Sequence, residues 1–404
     1  MSTTLTLRSA RLTDGRTVDI TISGGVIANI AASTSRPIEN GDIDLDGYIV
    51  MPSFVEPHAH LDKAFLADRI DNPSGDLMGA IRGLEEAAPS ITHSDIVERS
   101  IRAAQLLSRN GTTAIRTHAD TTLSNGLKNV EALLETKKKC AHFIDVQVAM
   151  LLEWPLSGPG SADRHALARD AIATGVDVVG GCPHLDDDPR RAVEYLLELA
   201  VNHNLPLDLH ADENLRVDSS DLEHLADLML LNNVRHQVNA SHCVSLSTRT
   251  VNDIRRIAEK VSAAGITVTA LPQTNLFLQA RGQMTSPPRA VTPIAALQEA
   301  GVVVAAGGDN LQDPFNLVGR GDPLEIASLL VTTSHLSILQ SIDCISTHAS
   351  AVVSGTPGDI STGKQANLVG LRSTTLRESV AMGPPDRFVV YGGVVIDEQI
   401  RNRK

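Results

Sequence analysis

The sequence predicts an α/β fold: a (β/α)8 barrel of the TIM type, with a small β-sandwich domain built from both chain termini. Three observations carry that prediction. Eight short apolar, β-branched runs follow one another through the chain and, after a longer first gap, recur roughly every 30 residues, the length of a strand plus a returning helix. The runs are continuously apolar rather than alternating, as strands buried on both faces of a parallel sheet are. Their polar, metal-capable residues stand at the C-terminal ends, the face on which such barrels build their sites.

The first stretch of chain reads differently from the middle. TLTLRSARL, the turn Thr13-Asp14-Gly15 and TVDITISGGVIANI alternate apolar and polar residues around Gly-rich turns, the pattern of antiparallel strands. NLVGL and RFVVYGGVVID near the other end read the same way, so residues 1–51 and 356–404 are assigned to the sandwich and 52–355 to the barrel. The barrel runs begin with YIVMPSFVEPHAH near 48–60, TTAIRTHAD at 112–120, HFIDVQVAML at 142–151 and VDVVGGCPH at 176–184. LPLDLHADE at 205–213, QVNASHC at 237–243, ITVTALP at 266–272 and VVVAAGGDN at 302–310 complete the eight. Between them, stretches such as DIVERSIRAAQLLSRNG and DPRRAVEYLLELAVNHN space apolar residues at helical period and carry Gly or Asn near their ends.

Composition removes several functions. The 404 residues carry 35 basic and 48 acidic side chains, a net charge of −13, and only 2% are aromatic. A phosphate backbone is repelled on average and base-stacking platforms are scarce, so no nucleic-acid partner is expected. The longest basic run is Lys137-Lys138-Lys139. The four cysteines are scattered without a C-x-x-C pair, which suits reduced thiols filling core space in a cytoplasmic protein. No apolar run of about 18 residues offers a membrane span, and the N-terminus lacks the apolar core of a signal peptide.

Function is read from the strand ends. His58, His60, His118, His184, His210, His242 and Asp309 all follow apolar runs, so the barrel turns them towards one mouth. Any one of them alone is more often a core or loop histidine; six histidines at the same end of their runs are not explained by chance. His58 and His60, at i and i+2, point the same way. With His210 and Asp309 they make a donor set of three imidazoles and one carboxylate, suited to one Zn²⁺ or Fe²⁺ per chain with a position left for water. Glu213, three residues past His210, is placed to move a proton between water and substrate, and His242 to support a developing oxyanion.

The set PHAHLD, IRTHAD, CPHLD, LDLHADE, NASHC and GGDN resembles the amidohydrolase superfamily, specifically its cytosine deaminase-like branch, over nearly the whole chain. The resemblance implies that His58, His60, His210 and Asp309 bind one catalytic metal, that Glu213 protonates a ring nitrogen, and that His242 assists the water. It also implies a mononuclear site, since the fourth run offers Gly180, Gly181 and Cys182 before His184 and no bridging lysine. The hydrolytic route that follows uses water whose pKa is lowered towards about 7 at the metal. Glu213 passes its proton to the ring, and Asp309 relays the second proton to the leaving amine.

Two positions depart from the pattern. Glu153 stands where a glutamine recognises the ring edge, and Asn310 replaces the second residue of an Asp-Asp pair. An ionised carboxylate only accepts, so cytosine is not expected to be the best substrate. Phe315 stands at a tryptophan position, and His184, Glu153, Asn310 and Phe315 are the expected substrate contacts. Related members act on triazines (N-isopropylammelide isopropyl amidohydrolase among them), pterins, creatinine or isoguanine. The reading is therefore a metal-dependent hydrolytic deaminase of a small amino-substituted nitrogen heterocycle, in a barrel of a kind that often forms homo-oligomers. The alternatives are a cyclic-amide or N-acyl-amine hydrolase on the same barrel, and a non-catalytic metal-binding scaffold, which would be expected to have lost a ligand or Glu213.

Overall fold

Both ends of the chain meet in one mixed sheet. In the computed structural model, which describes residues 4–34, 37–39 and 41–402, the N-terminal part supplies β1 (Thr4–Leu12), β2 (Thr17–Ser23), β3 (Val26–Ala32), β4 (Asp42–Asp44) and β5 (Tyr48–Pro52). Residues 1–3 and 403–404, the outer ends of the two segments assigned to the sandwich, lie outside the described residues. The barrel follows as β6 (Phe54–Ala59), β7 (Thr112–Thr121), β8 (Asp145–Leu152), β9 (Val179–Gly181), β10 (Leu207–Ala211), β11 (Val238–His242), β12 (Thr267–Ala270) and β13 (Val304–Ala306). The chain then returns to the first sheet with β14 (Leu368–Arg372), β15 (Arg387–Tyr391) and β16 (Val394–Val395).

The terminal sheet runs β16-β15-β14-β5-β1-β2-β3, with β4 beside β1. It folds back on itself: Ile27 at the start of β3 bonds with Gly363 and Lys364 just ahead of β14, and Ala366 donates to Gly25. Leu7, Ile20, Ile22, Ile27, Leu368 and Val390 fill the space enclosed, a core separate from that of the barrel. One sheet thus supplies both layers of the expected sandwich.

The barrel strands pair in chain order, each parallel to the next. Continuous apolar runs become strands with every residue buried, as in β6, β10 and β11. Gly180 has no alternative, because a Cβ there would sit 2.7 Å from the Met150 carbonyl and 2.8 Å from that of Asp208. The returning helices begin and end where their caps dictate. Helix His93–Arg109 is capped by Thr92, whose hydroxyl accepts from the Asp95 N–H. Helix Pro189–His203 starts with proline in its first turn and stops at Asn204, left-handed at φ 51°.

The sequence run at 48–60 holds two strands rather than one, and they belong to different sheets. β5 pairs with β1 and β14, whereas β6 pairs with β7. Both stretches are apolar because both are buried on two faces, so hydrophobicity does not mark where one sheet hands over to the other. The four cysteines are free and buried. Among the described residues no helix is long and apolar enough to cross a membrane.

Candidate metal centre and active site

The seam that closes the barrel is also where its polar groups gather. β13 and β6 join through a bridge between Ala59 and Asp309: the Asp309 N–H donates to the His58 carbonyl (3.1 Å) and the His60 N–H to the Asp309 carbonyl (3.2 Å). Glu56, buried beneath, accepts from the N–H groups of Gly308 (2.9 Å) and His58 (3.2 Å) and locks the two strand ends together. A Cβ on Gly307 would collide with that carboxyl. Asp309 at φ 62° and His242 at φ 69° hold left-handed backbone that non-glycine residues rarely adopt, at a cost of about 1–3 kcal/mol each. The strain sits where two side chains are aimed at the mouth.

Around the seam, His210 Nε2 lies 3.1 Å from His58 Nε2 and 3.2 Å from His60 Nε2. Asp309 Oδ1 lies 3.3 Å from His60 Nε2 and 3.6 Å from His58 Nε2. Ligand atoms about 2.0–2.1 Å from a common tetrahedral ion stand about 3.3 Å from one another. Burial pulls the three imidazoles well below their ordinary pKa, so they are neutral and offer lone pairs. Burial pushes the Asp309 carboxyl up to about 6, and neither of its oxygens has a hydrogen-bond partner. A buried carboxylate without donors, facing three convergent lone pairs, fits a cation. The donor set of the sequence analysis is therefore one that can hold a metal ion.

A second layer orients the first. His58 Nδ1 meets Ser241 Oγ at 2.9 Å, and that hydroxyl donates to Asp208 Oδ1 at 2.9 Å. Asp208 also accepts from Asn239 and from the buried Arg116 (2.8 Å). The relay leaves the His58 ring proton on Nδ1 and its lone pair on Nε2, towards the centre. Replacing Ser241 by Ala is expected to weaken metal retention about 10- to 100-fold with the fold intact, measured by competition with a chelator. His118 lies against His58 with ring centroids 4.1 Å apart and ring planes tilted by 32°, and stays off the cavity wall. It approaches Asp208 only to 3.9 Å, and that carboxylate is already occupied.

A cavity of about 230 Å³ opens above the centre, lined by His60, His210, Glu213, His242 and Asp309 at its floor. That size suits a small ring. Glu213 is buried just past β10, and burial followed by the charge of Asp309 raises its carboxyl well above its ordinary value. Its Oε2 is 3.7 Å from His242 Nε2. The Asn275 amide donates to His242 Nδ1 (3.0 Å), which assigns the His242 proton to Nε2, facing Glu213 and the cavity. Burial lowers His242 to about 4, so this ring is a neutral donor.

The four expected substrate contacts separate. Phe315 lines the cavity and packs against Ala80 and Leu278; Asn310 lines it too and donates to Asp313 Oδ2 (2.8 Å). His184 stands behind Glu213, its Nδ1 donating to the His210 carbonyl (3.0 Å) and its Nε2 4.0 Å from Glu213 Oε2. It is not among the residues lining the cavity. Glu153 reaches the wall, but Oε1 accepts from Arg164 (3.0 Å) and Oε2 from the Leu123 N–H (2.6 Å). Both its oxygens are thus engaged within the loops of the rim. Sequence reasoning did not single out Asp62, Lys63 and Asp120, which share the cavity wall. The signal was present in PHAHLDK and IRTHAD, directly after the strand ends.

Comparison with known proteins bears on this geometry. A family model described as the amidohydrolase family matches residues 95–401. The pterin deaminase of Rhizobium rhizogenes (strain K84 / ATCC BAA-868) is 30% identical over 392 residues, spanning 95% of this chain and 88% of its own. The N-isopropylammelide isopropyl amidohydrolase of Pseudomonas sp. (strain ADP) is 26% identical over 408 residues, spanning 97% and 96%. The structure of 5-methylcytosine deaminase from Klebsiella pneumoniae liganded with phosphonocytosine superimposes with a TM-score of 0.90 at 28% identity, covering 97% of this chain and 98% of that one.

Proposed function

Because the chain belongs to the amidohydrolase family, we propose that it is a metal-dependent hydrolytic deaminase of a small amino-substituted nitrogen heterocycle. The observation that carries this reading is the partner-free Asp309 carboxylate facing three neutral imidazoles, with Glu213 and His242 at the edge of a ring-sized cavity. The similarity to deaminases that act on pterins and 5-methylcytosine supports it. His58, His60, His210 and Asp309 would hold one divalent ion, Zn²⁺ or Fe²⁺. When bound, the ion supplies the Lewis acidity that brings water near ionisation at neutral pH.

The remaining steps belong to the chain. Glu213 takes a proton from the attacking water and delivers it from Oε2 to the ring nitrogen beside the C–N carbon, which makes that carbon electrophilic. Water oxygen adds there, and the Nε2–H of His242 donates to the oxygen as negative charge develops. Asp309 accepts the second water proton and returns it to the departing nitrogen; the C–N bond breaks and the amine leaves neutral. Phe315 and the apolar wall above it, including Leu77 and Ile81, exclude bulk water from the ring.

The test is amine release by the metal-reconstituted protein across aminopyrimidines, aminotriazines, pterins and creatinine. Turnover of at least one amino-heterocycle is expected. Release of no amine, together with hydrolysis of a cyclic amide, would replace the deaminase reading by an amide-hydrolase one.

A further inference from the structure

The cavity wall on the side of β6 and β7 carries charged groups that the steps above leave idle. Lys63 Nζ lies 2.5 Å from Asp120 Oδ1 and 3.5 Å from Asp62 Oδ1. Asp62 spends its other oxygen on the Asn129 amide (2.9 Å) and the Asp120 N–H (3.0 Å), so it serves to hold the cluster. Asp120 differs. Its Oδ1 takes the ammonium, no described residue donates to its Oδ2, and its side chain keeps 23% exposure on the cavity wall.

Lys63 has three N–H bonds, and the third direction meets His60 Nδ1 at 3.2 Å. That contact and an ion on His60 Nε2 exclude each other. A neutral imidazole ligated through Nε2 keeps its proton on Nδ1, and two donors would then face one another. In a loaded centre one N–H of Lys63 would lose that partner and become available on the cavity wall, beside the free oxygen of Asp120. The wall would then present a donor next to an acceptor.

Glu213 and His242 follow β10 and β11, which lie across an eight-strand ring from β6 and β7. A ring held over the centre with one nitrogen at Glu213 turns its opposite flank to Lys63 and Asp120. We infer that Lys63 and Asp120 read that flank, and that the substrate is an acylguanidine ring. In such a ring the carbon losing its amine lies between an imine nitrogen, placed at Glu213, and an N–H joined to a carbonyl. Cytosine offers only C–H on this flank; isocytosine, its isomer with amine and oxygen exchanged, offers the N–H and carbonyl. The inference rests on the deaminase reading and names its substrate class.

The experiment compares ammonia release from isocytosine and cytosine, and calorimetric affinity for 2,4-dioxopteridine, in zinc-loaded wild type, Lys63→Met, Asp120→Asn and Glu153→Gln. Lys63→Met and Asp120→Asn are each expected to lower the isocytosine-to-cytosine ratio of kcat/KM about ten- to a hundredfold, mainly through KM, because a buried polar contact is left unpaired. Affinity for the dioxo ring should fall with it, while elemental analysis still finds the ion in each variant. Ratio and affinity within about threefold of wild type in both variants overturn the inference, as does a change confined to Glu153→Gln. Loss of the ion from Lys63→Met makes Lys63 a support of His60, and an unchanged ratio in Asp120→Asn then overturns the inference too. If wild type deaminates neither ring, the affinity arm alone decides whether Lys63 and Asp120 bind the lactam, and the deaminase reading stands or falls on the wider panel of amino-heterocycles.

Discussion

Glu213→Gln leaves a folded, metal-retaining protein whose kcat falls about 10²- to 10⁴-fold, the usual contribution of a positioned proton-transfer group. The amide matches the carboxyl in size and can still donate a hydrogen bond, but it cannot carry a proton from water to a ring nitrogen. Nothing in the fold depends on the carboxyl: the hydrogen bond at this residue runs from Gln279 to its backbone carbonyl. The substitution also has a stability signature. Burial raises the Glu213 pKa above its unfolded value, so the native state binds the proton more tightly than the unfolded chain. Stability of the metal-free wild type should therefore decline as pH rises from the ordinary carboxylate range towards the native pKa. The Gln variant lacks that part of the slope and should be the more stable of the two at neutral pH. Denaturant titrations across pH, beside single-turnover rates, check both statements. Turnover within tenfold of wild type would assign the proton transfer to another group.

Removal of the ion is expected to take amine release to background, and Zn²⁺ or Fe²⁺ at about one per chain should restore it. Asp309 explains why the effect should be large in stability as well as rate. Without a cation its carboxylate is buried with no donor, and its pKa is pushed up to about 6. With an ion at 100 times its Kd, the native state gains about 2.7 kcal/mol. His210→Ala should lose both ion and activity, because its Nε2 stands within 3.2 Å of both other imidazole donors. Two tightly held ions per chain, or full activity after chelation, would refute the single-ion centre.

The outline of this protein was legible because its signals are local. A strand buried on two faces needs a continuous apolar run, a returning helix needs the next stretch at period 3.6, and together they set the spacing that counts eight strands. The same regularity puts His58, His60, His210 and Asp309 at one end of their strands, so this candidate donor set could be named before any distance was known. The split of YIVMPSFVEPHAH into two strands of different sheets could not be read, since its apolar residues run on through the handover, although the boundary at 51 and 52 already leaves most of β5 with the terminal segments. Nor could the fate of Glu153, which depends on where Arg164 and the Leu123 N–H come to rest.

What the sequence by itself determined is the kind of site: a barrel mouth furnished with imidazoles and carboxylates, because residue type and strand phase are written in the chain. What only the tertiary structure decided is which of those groups remain free to act. Lys63 and Asp120 are 57 positions apart and meet at 2.5 Å, whereas His184 is drawn behind Glu213 by the His210 carbonyl. A polar group inside a protein must find a partner, and the partner is chosen by three-dimensional neighbours rather than by chain order. Groups left without one, the Asp309 carboxylate among them, are therefore visible only once every other contact is in place.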